Sequence, residues 1–142
     1  MRIERILQDK GGDVVTIESG ERVSAAVALL SERRIGAVIV CDGDDPAGIL
    51  SERDIVRELG RSGSEALDRP VSAMMTRDIQ SCGPGDALDD VLAKMTEGRF
   101  RHMPVVQDGR MVGLISIGDV VKARLSELSM ERDALEGMVM GH

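Results

Sequence analysis

The sequence predicts an α/β fold built from two tandem copies of one β-α-β-β-α unit, arranged as an α+β sandwich. Three observations carry this: a gap-free internal repeat, hydrophobic periods that alternate between strand and helix, and one Ser-x-x-Asp element in each copy. Shifting the chain by 65 residues aligns positions 14–59 with 79–124. Gly20, Ala28, Glu32, Arg34, Val40, Gly48, Ser51, Asp54 and Val56 meet identical residues, nine identities where chance would give roughly three. The apolar pattern agrees as well: Val23 meets Leu88, Val27 meets Leu92, Leu30 meets Met95 and Leu50 meets Ile115.

Each element then follows in order. A short strand is expected at Val14–Ile17 and again at Ile79–Cys82, each running into a glycine-containing turn. Val23, Ala26, Val27 and Leu30 fall at helical spacing, matched by Leu88, Val91, Leu92 and Met95, with Ser19 or Asp86 placed to cap the helix start. A β-branched strand follows, Ala37–Cys41 or Met103–Val106. Polar turns at Asp42–Pro46 and Gln107–Arg110 make hairpins to Ala47–Leu50 and Met111–Ile115. Ser51 or Ser116 opens the next helix, with Asp54 or Asp119 in its first turn. The expected divisions are an N-terminal segment 1–13, a first copy 14–60, a linker 61–78, a second copy 79–125 and a helical extension 126–142. Arg2–Lys10 is expected to form a short helix with Ile3, Ile6 and Leu7 on one side. In the extension Val121, Leu125, Leu128, Leu135 and Val139 fall near a seven-residue spacing interrupted by Arg132. That row either packs on its own domain or forms a dimer contact.

Composition narrows the function classes. The 142 residues fit one compact domain or two small halves sharing a core. No apolar run approaches the roughly 20 residues needed to span a bilayer, and the N-terminus lacks a signal-like stretch, so a soluble, cytoplasmic protein away from membranes is expected. With 18 basic and 25 acidic residues the net charge is −7, and the basic residues are scattered, which disfavours nucleic acid as a partner. Phe100 is the sole aromatic residue, so no stacking platform exists for single strands, and nine methionines serve as core filler. Cys41 and Cys82 sit in strand-like surroundings and are expected to be buried small hydrophobes. With only His102 and His142 available, no metal site is expected.

The chemistry-bearing element is Gly48-Ile-Leu-Ser51-Glu-Arg53-Asp54, repeated as Gly113-Leu-Ile-Ser116-Ile117-Gly118-Asp119. Its spacing is that of a capping box, serine capping the helix while the acid reaches back. The same geometry also suits a nucleotide: a carboxylate at a helix N-terminus stays ionised, its two oxygens can accept both ribose hydroxyls, and the serine with open helix-start amides can hold a phosphate. The copies diverge on the preceding strand, where Arg34-Ile35-Gly36-Ala37-Val-Ile-Val faces Arg99-Phe-Arg101-His102-Met103-Pro104-Val. Arg99, Arg101 and His102 are either a solvated charged edge or a place to meet a phosphate. Pro104 cannot donate to a sheet, and the open backbone edge expected there suits a purine.

Taken together, Thr16 and Ser81, Ile35-Gly-Ala-Val-Ile-Val, Phe100-Arg-His-Met-Pro-Val, the two Ser-x-x-Asp elements and Val71-Ser-Ala-Met-Met-Thr76 resemble the CBS-domain pair, or Bateman module, over nearly the whole chain. The resemblance implies pseudo-twofold packing of the repeats, with two clefts that take adenosine compounds: AMP first, with ADP, ATP, NAD(H) or S-adenosylmethionine as further candidates and no metal required. It places the ribose diol on Asp54 and Asp119, Thr16 or Ser81 near ribose or base, and the adenine on the backbone of the strand holding Ala37 or Met103. It brings Arg101 and His102 to the phosphates of the nucleotide whose ribose is on Asp54. Arg53 is a further phosphate candidate; Gly118 replaces it in the second copy, so unequal sites are expected. It also implies a non-catalytic energy or redox sensor acting through a homodimer of its helices or an unidentified protein target. A constitutive interaction scaffold without ligand is the alternative. Catalysis is disfavoured, because no Ser/His/Asp order, metal cluster or P-loop is present and His102 is the one plausible base.

Overall fold

A computed structural model of the chain describes residues 1–139; His142 and the last residues of the expected extension lie outside the described residues. The fold is mixed α/β, and the chain divides into two compact units, 14–79 and 1–13 with 80–142. The N-terminal segment therefore belongs with the second copy.

In the first unit, β1 (Thr16–Glu18), β2 (Ala37–Asp42) and β3 (Asp45–Ser51) form a sheet in the order β1-β2-β3. Strand β1 runs parallel to β2, with Thr16 opposite Ile39, and β2 is antiparallel to β3, with Ala37 opposite Ser51. Helix α2 (Val23–Arg33) and α3 (Glu52–Ser62) cover it. Residues 63–73 add two 3-10 turns that bury Ala66 and Val71. Ile17, Val23, Leu30, Val38, Val40, Leu50, Ile55, Met74 and Met75 share the core.

The second unit pairs β4 (His102–Gln107) with β5 (Arg110–Ser116), flanked by α4 (Leu88–Gly98), α5 (Ile117–Val139) and the N-terminal α1 (Ile3–Lys10). Ile3, Ile6, Cys82, Leu88, Val91, Met95, Met103, Ile115 and Val120 form its own core. Each unit has its own buried cluster, to which α1 in one and residues 63–75 in the other add apolar groups beside a small sheet. The repeat extends to irregularities: both hairpins carry a register shift at matching positions, Val40/Cys41 and Val105/Val106. The second hairpin turns through Asp108 and Gly109 at φ 53° and 77°, the left-handed pair that tight hairpins need.

The expected strand at Ile79–Cys82 does not form; one parallel bridge, Cys82 to Val105, is what is left of it. The cause is two prolines. In the first unit the outer ladder bonds run from the Ile39 N–H to the Val15 carbonyl (3.1 Å) and from the Ser19 N–H to the Cys41 carbonyl (2.9 Å). The donors at the matching positions are Pro104 and Pro84, which have no N–H. The two inner bonds survive, Cys82 N–H to the Pro104 carbonyl and Val106 N–H to the Cys82 carbonyl. The open group at this edge is therefore the acceptor facing Pro104, on Gln80, and not Pro104 itself.

Two further expectations change. Neither Ser19 nor Asp86 caps a helix: α2 and α4 start without a side-chain cap. Backbone carbonyls replace it, with Val23 N–H donating to Arg69 and Leu88 N–H to Met1, while Asp86 instead accepts from the Gly83 N–H. The apolar row of α5 does not pack on its own unit; Leu125 and Leu135 are each 62% exposed.

Candidate functional site

The strands bring the expected groups of the first unit to one end of its sheet. Thr16 begins β1, Ala37 begins β2 and Ser51 ends β3, so the exposed Thr16, the half-buried Ile35 and Gly36, and the Ser51–Asp54 helix start share a corner. The Glu52 N–H donates to the Gly36 carbonyl at 2.9 Å, fastening α3 to the start of β2. The second unit repeats this bond between the Ile117 N–H and the Arg101 carbonyl at 2.8 Å. There His102 opens β4 opposite Ser116, and Met103 stands opposite Ile115. The Met103 side chain is fully buried, so only its backbone faces the sheet edge, and Pro104 is buried too. Arg101 and Gly118 are exposed, as is Ser81 beside the surviving bridge. Arg99 ends α4 in the left-handed region at φ 58°, as Arg34 ends α2 at 54°; its place reflects helix termination repeated in both copies.

Both Ser-x-x-Asp elements form the capping box. In the first, Asp54 Oδ2 accepts from the Ser51 N–H and Oγ, each at 3.0 Å, while the Asp54 N–H donates back to Ser51 Oγ at 3.3 Å. In the second, Asp119 Oδ2 accepts from the Ser116 N–H at 2.8 Å and the Asp119 N–H donates to Ser116 Oγ at 3.1 Å. A helix leaves four amides over at its start. Here the cap, first and third positions are all taken within the unit, so the row of open amides expected for a phosphate shrinks to the second position, Arg53 or Gly118.

The two carboxylates differ in what else they hold. Asp54 is buried, and its Oδ1 accepts from Arg57 Nη2 at 2.8 Å. Three of the roughly four acceptor positions of a carboxylate are then in use. Asp119 is more open, and Lys10 reaches it from the end of α1: Nζ donates to Asp119 Oδ2 at 2.8 Å and to the Leu114 carbonyl at 3.1 Å. Burial pushes the Asp119 carboxyl up, but the bonds from Lys10 and Ser116 outweigh it and hold the group below the usual carboxylate range. Both bonds fall on Oδ2, which leaves Oδ1 for another donor.

Lys10 and Arg57 were not among the expected site residues. Arg57 was readable, since it lies three residues after Asp54 on the same helix face. Lys10 was not, because it is 109 residues from Asp119. The position matching Arg57 is Lys122, which no ion pair engages among the described residues; Lys10 takes its role. Cys41 and Cys82 are buried free thiols as expected, and burial, then Asp86, pushes the Cys82 thiol up to about 11. Among the described residues no cluster of metal-ligating side chains occurs, and no helix is long and apolar enough to cross a membrane.

The geometry matches known proteins. The family profile described as CBS domain matches residues 7–61 and 71–126. A CBS domain-containing protein of Arabidopsis thaliana, CBSX3, mitochondrial, is 29% identical over 98% of this chain and 72% of its own length. The crystal structure of a CBS-domain containing protein from Agrobacterium tumefaciens shares 41% identity, covers 87% of this chain and 99% of that one, and superposes with a TM-score of 0.84. The CBS domain pair of protein MJ0100, solved with 5′-methylthioadenosine and S-adenosyl-L-methionine, shares the fold at 21% identity over 89% of this chain and 98% of that one, with a TM-score of 0.77. With its two matching segments and its paired β-α-β-β-α units, the chain belongs to the CBS-domain family.

Proposed function

We propose that this chain is a non-catalytic regulatory module that binds an adenosine compound at its Ser-x-x-Asp corners and passes the signal on through a homodimer or a protein target. The observation that carries it is Asp119. A half-buried carboxylate is held ionised at a helix start with Oδ1 still available, and the Lys10 ammonium stands beside it. A diol can donate to that carboxylate, and a neighbouring ammonium suits a 5′-phosphate, so AMP, ADP, ATP or NAD(H) fit this corner better than a cationic sulfonium. The adenosine ligands of the MJ0100 pair support the ligand class. Asp54, buried and tied to Arg57, is the more constrained partner, so the two corners bind unequally.

The test is calorimetry with AMP, ATP, NADH and S-adenosylmethionine at micromolar to millimolar concentrations. Binding of at least one, with the phosphorylated compounds ahead of S-adenosylmethionine, is the expected result. No heat with any of the four would sink the reading and leave the interaction-scaffold alternative.

A further inference from the structure

Helix α5 has 23 residues, and Val120 is its one buried residue among those described. Its inner face is settled by its own unit. Val120 enters the core, Arg124 pairs with Asp89 at 3.1 Å and with Glu127, and Glu127 also meets the Met1 amino group. The neighbouring face is different. Val121, Leu125, Leu128, Leu135 and Val139 are exposed by 40 to 87%. With Arg132 they are spaced 4, 3, 4, 3 and 4 residues apart, the a/d register that pairs helices, apolar at every position but the one that Arg132 interrupts. It runs about 27 Å along the helix.

We propose that this seam takes the same seam of a second copy, antiparallel. The charges decide both occupant and direction. With Leu125 and Val139 as a positions and Val121, Leu128 and Leu135 as d positions, Arg132 occupies an a position. A parallel pair would stack Arg132 on its own copy and set Glu131 (g) against Glu136 (e) twice, both repulsive. An antiparallel pair centred near Met130 sets Val121 against Val139, Leu125 against Leu135, and Leu128 against Arg132, so the two arginines separate and each lays its stem over a leucine. It also brings Lys122 of each copy to Glu136 of the other. Both are exposed and neither has an ion pair among the described residues. Lys122 is available because Lys10 has taken the role that Arg57 plays in the first unit. Glu131 meets its own copy across the twofold, flanked by Arg132 of both. The surface is therefore complementary to itself in one direction only.

This interface deepens the homodimer part of the proposed function and is independent of ligand binding. The test is the dimer dissociation constant of the full chain by sedimentation equilibrium, for wild type, Lys122→Glu, Glu136→Lys and the double reversal. Antiparallel pairing predicts that each single change raises the constant about tenfold, since two exposed attractive pairs become repulsive, and that the double reversal restores it. Strengthening by Glu136→Lys would mean a parallel pair and overturn the proposal. A dimer indifferent to all three variants would also overturn it, while leaving the homodimer standing through another face, such as that of the exposed Val56. A monomer at all concentrations would remove both.

Discussion

Asp119→Ala separates the two roles that the Ser-x-x-Asp element can play. In the folded chain this carboxylate accepts from the Ser116 N–H and from Lys10 Nζ, both at 2.8 Å. Alanine removes both bonds but leaves Ser116 Oγ capping the amide of residue 119. The lost half of the capping box costs about 1 kcal/mol. The Lys10 pair is partly exposed on both sides and adds about 0.5 kcal/mol at most. At about 2–4 °C per kcal/mol for a chain of this size, Tm should fall by roughly 3–6 °C. If the carboxylate also holds a ribose diol, ligand binding loses a further charge-assisted contact of about 1.5–3 kcal/mol, a ten- to hundredfold weaker Kd. Calorimetric titration with AMP alongside thermal denaturation measures both quantities on one sample. Asp119→Asn is the companion variant: its amide oxygen still accepts from Ser116, so Tm should drop less while affinity falls nearly as far. A Tm loss of the expected size with AMP affinity unchanged, in Asp119→Ala and in Asp54→Ala alike, would show that these groups are caps and nothing more.

Lys10→Ala should move the Asp119 titration upward, seen by carboxyl NMR against pH, because the bond that most lowers it is gone while burial remains. The sign follows from linkage: the depressed Asp119 stabilises the fold above the ordinary carboxylate pKa, and that contribution disappears as pH falls through its lower folded value. Wild type should therefore lose more stability in acid than Lys10→Ala; an equal loss would refute this. Gly48→Ala should cost about 1–3 kcal/mol, since its new Cβ would sit 2.8 Å from the Thr76 carbonyl, whereas at Gly113 the obstacle is the flexible end of Leu7. Chemical denaturation should rank Gly48→Ala well below Gly113→Ala, and the reverse order would contradict the packing described. Pro104→Val should restore a donor toward the Gln80 carbonyl, so the amide of residue 104 should be protected from hydrogen exchange like that of Ile39. Its overall stability should change little, because the gained bond of about 1 kcal/mol is offset by the lost rigidity of proline in the unfolded chain. Exchange at a loop-like rate would show that the second proline, Pro84, alone blocks the strand.

The elements legible in the sequence are those whose geometry is local. The 65-residue repeat, the helix and hairpin order and both capping boxes depend on residues a few positions apart, where a serine and an aspartate three residues on can meet only one way. The burial of Cys41 followed from the strand its neighbours Val38, Ile39 and Val40 form; Cys82 is buried although the strand expected around it does not form. The loss of the strand at Ile79–Cys82 was less accessible. Its residues read as a strand, and only the pairing register shows that Pro104 and Pro84 stand where the partner's donors are required.

Tertiary structure decided everything that depends on which distant segment docks. Ser19 and Asp86 are good capping residues, yet carbonyls from Arg69 and Met1 reach the helix starts first. The Asp119 corner was visible in the sequence as a carboxylate at a helix start, but its cation was not. Lys10 belongs to it because α1 packs on α5 and ends beside β5. The heptad row of α5 was readable as apolar spacing, but its exposure was not, since it is Val120 that enters the unit's own core while Arg124 and Glu127 tie the adjacent face to Asp89 and the Met1 amino group. The sequence by itself determined the repeat and its caps, because backbone geometry over three or four residues suffices for them. The fold alone decided the charge and openness of each corner, because those are set by groups that only a packed chain brings together.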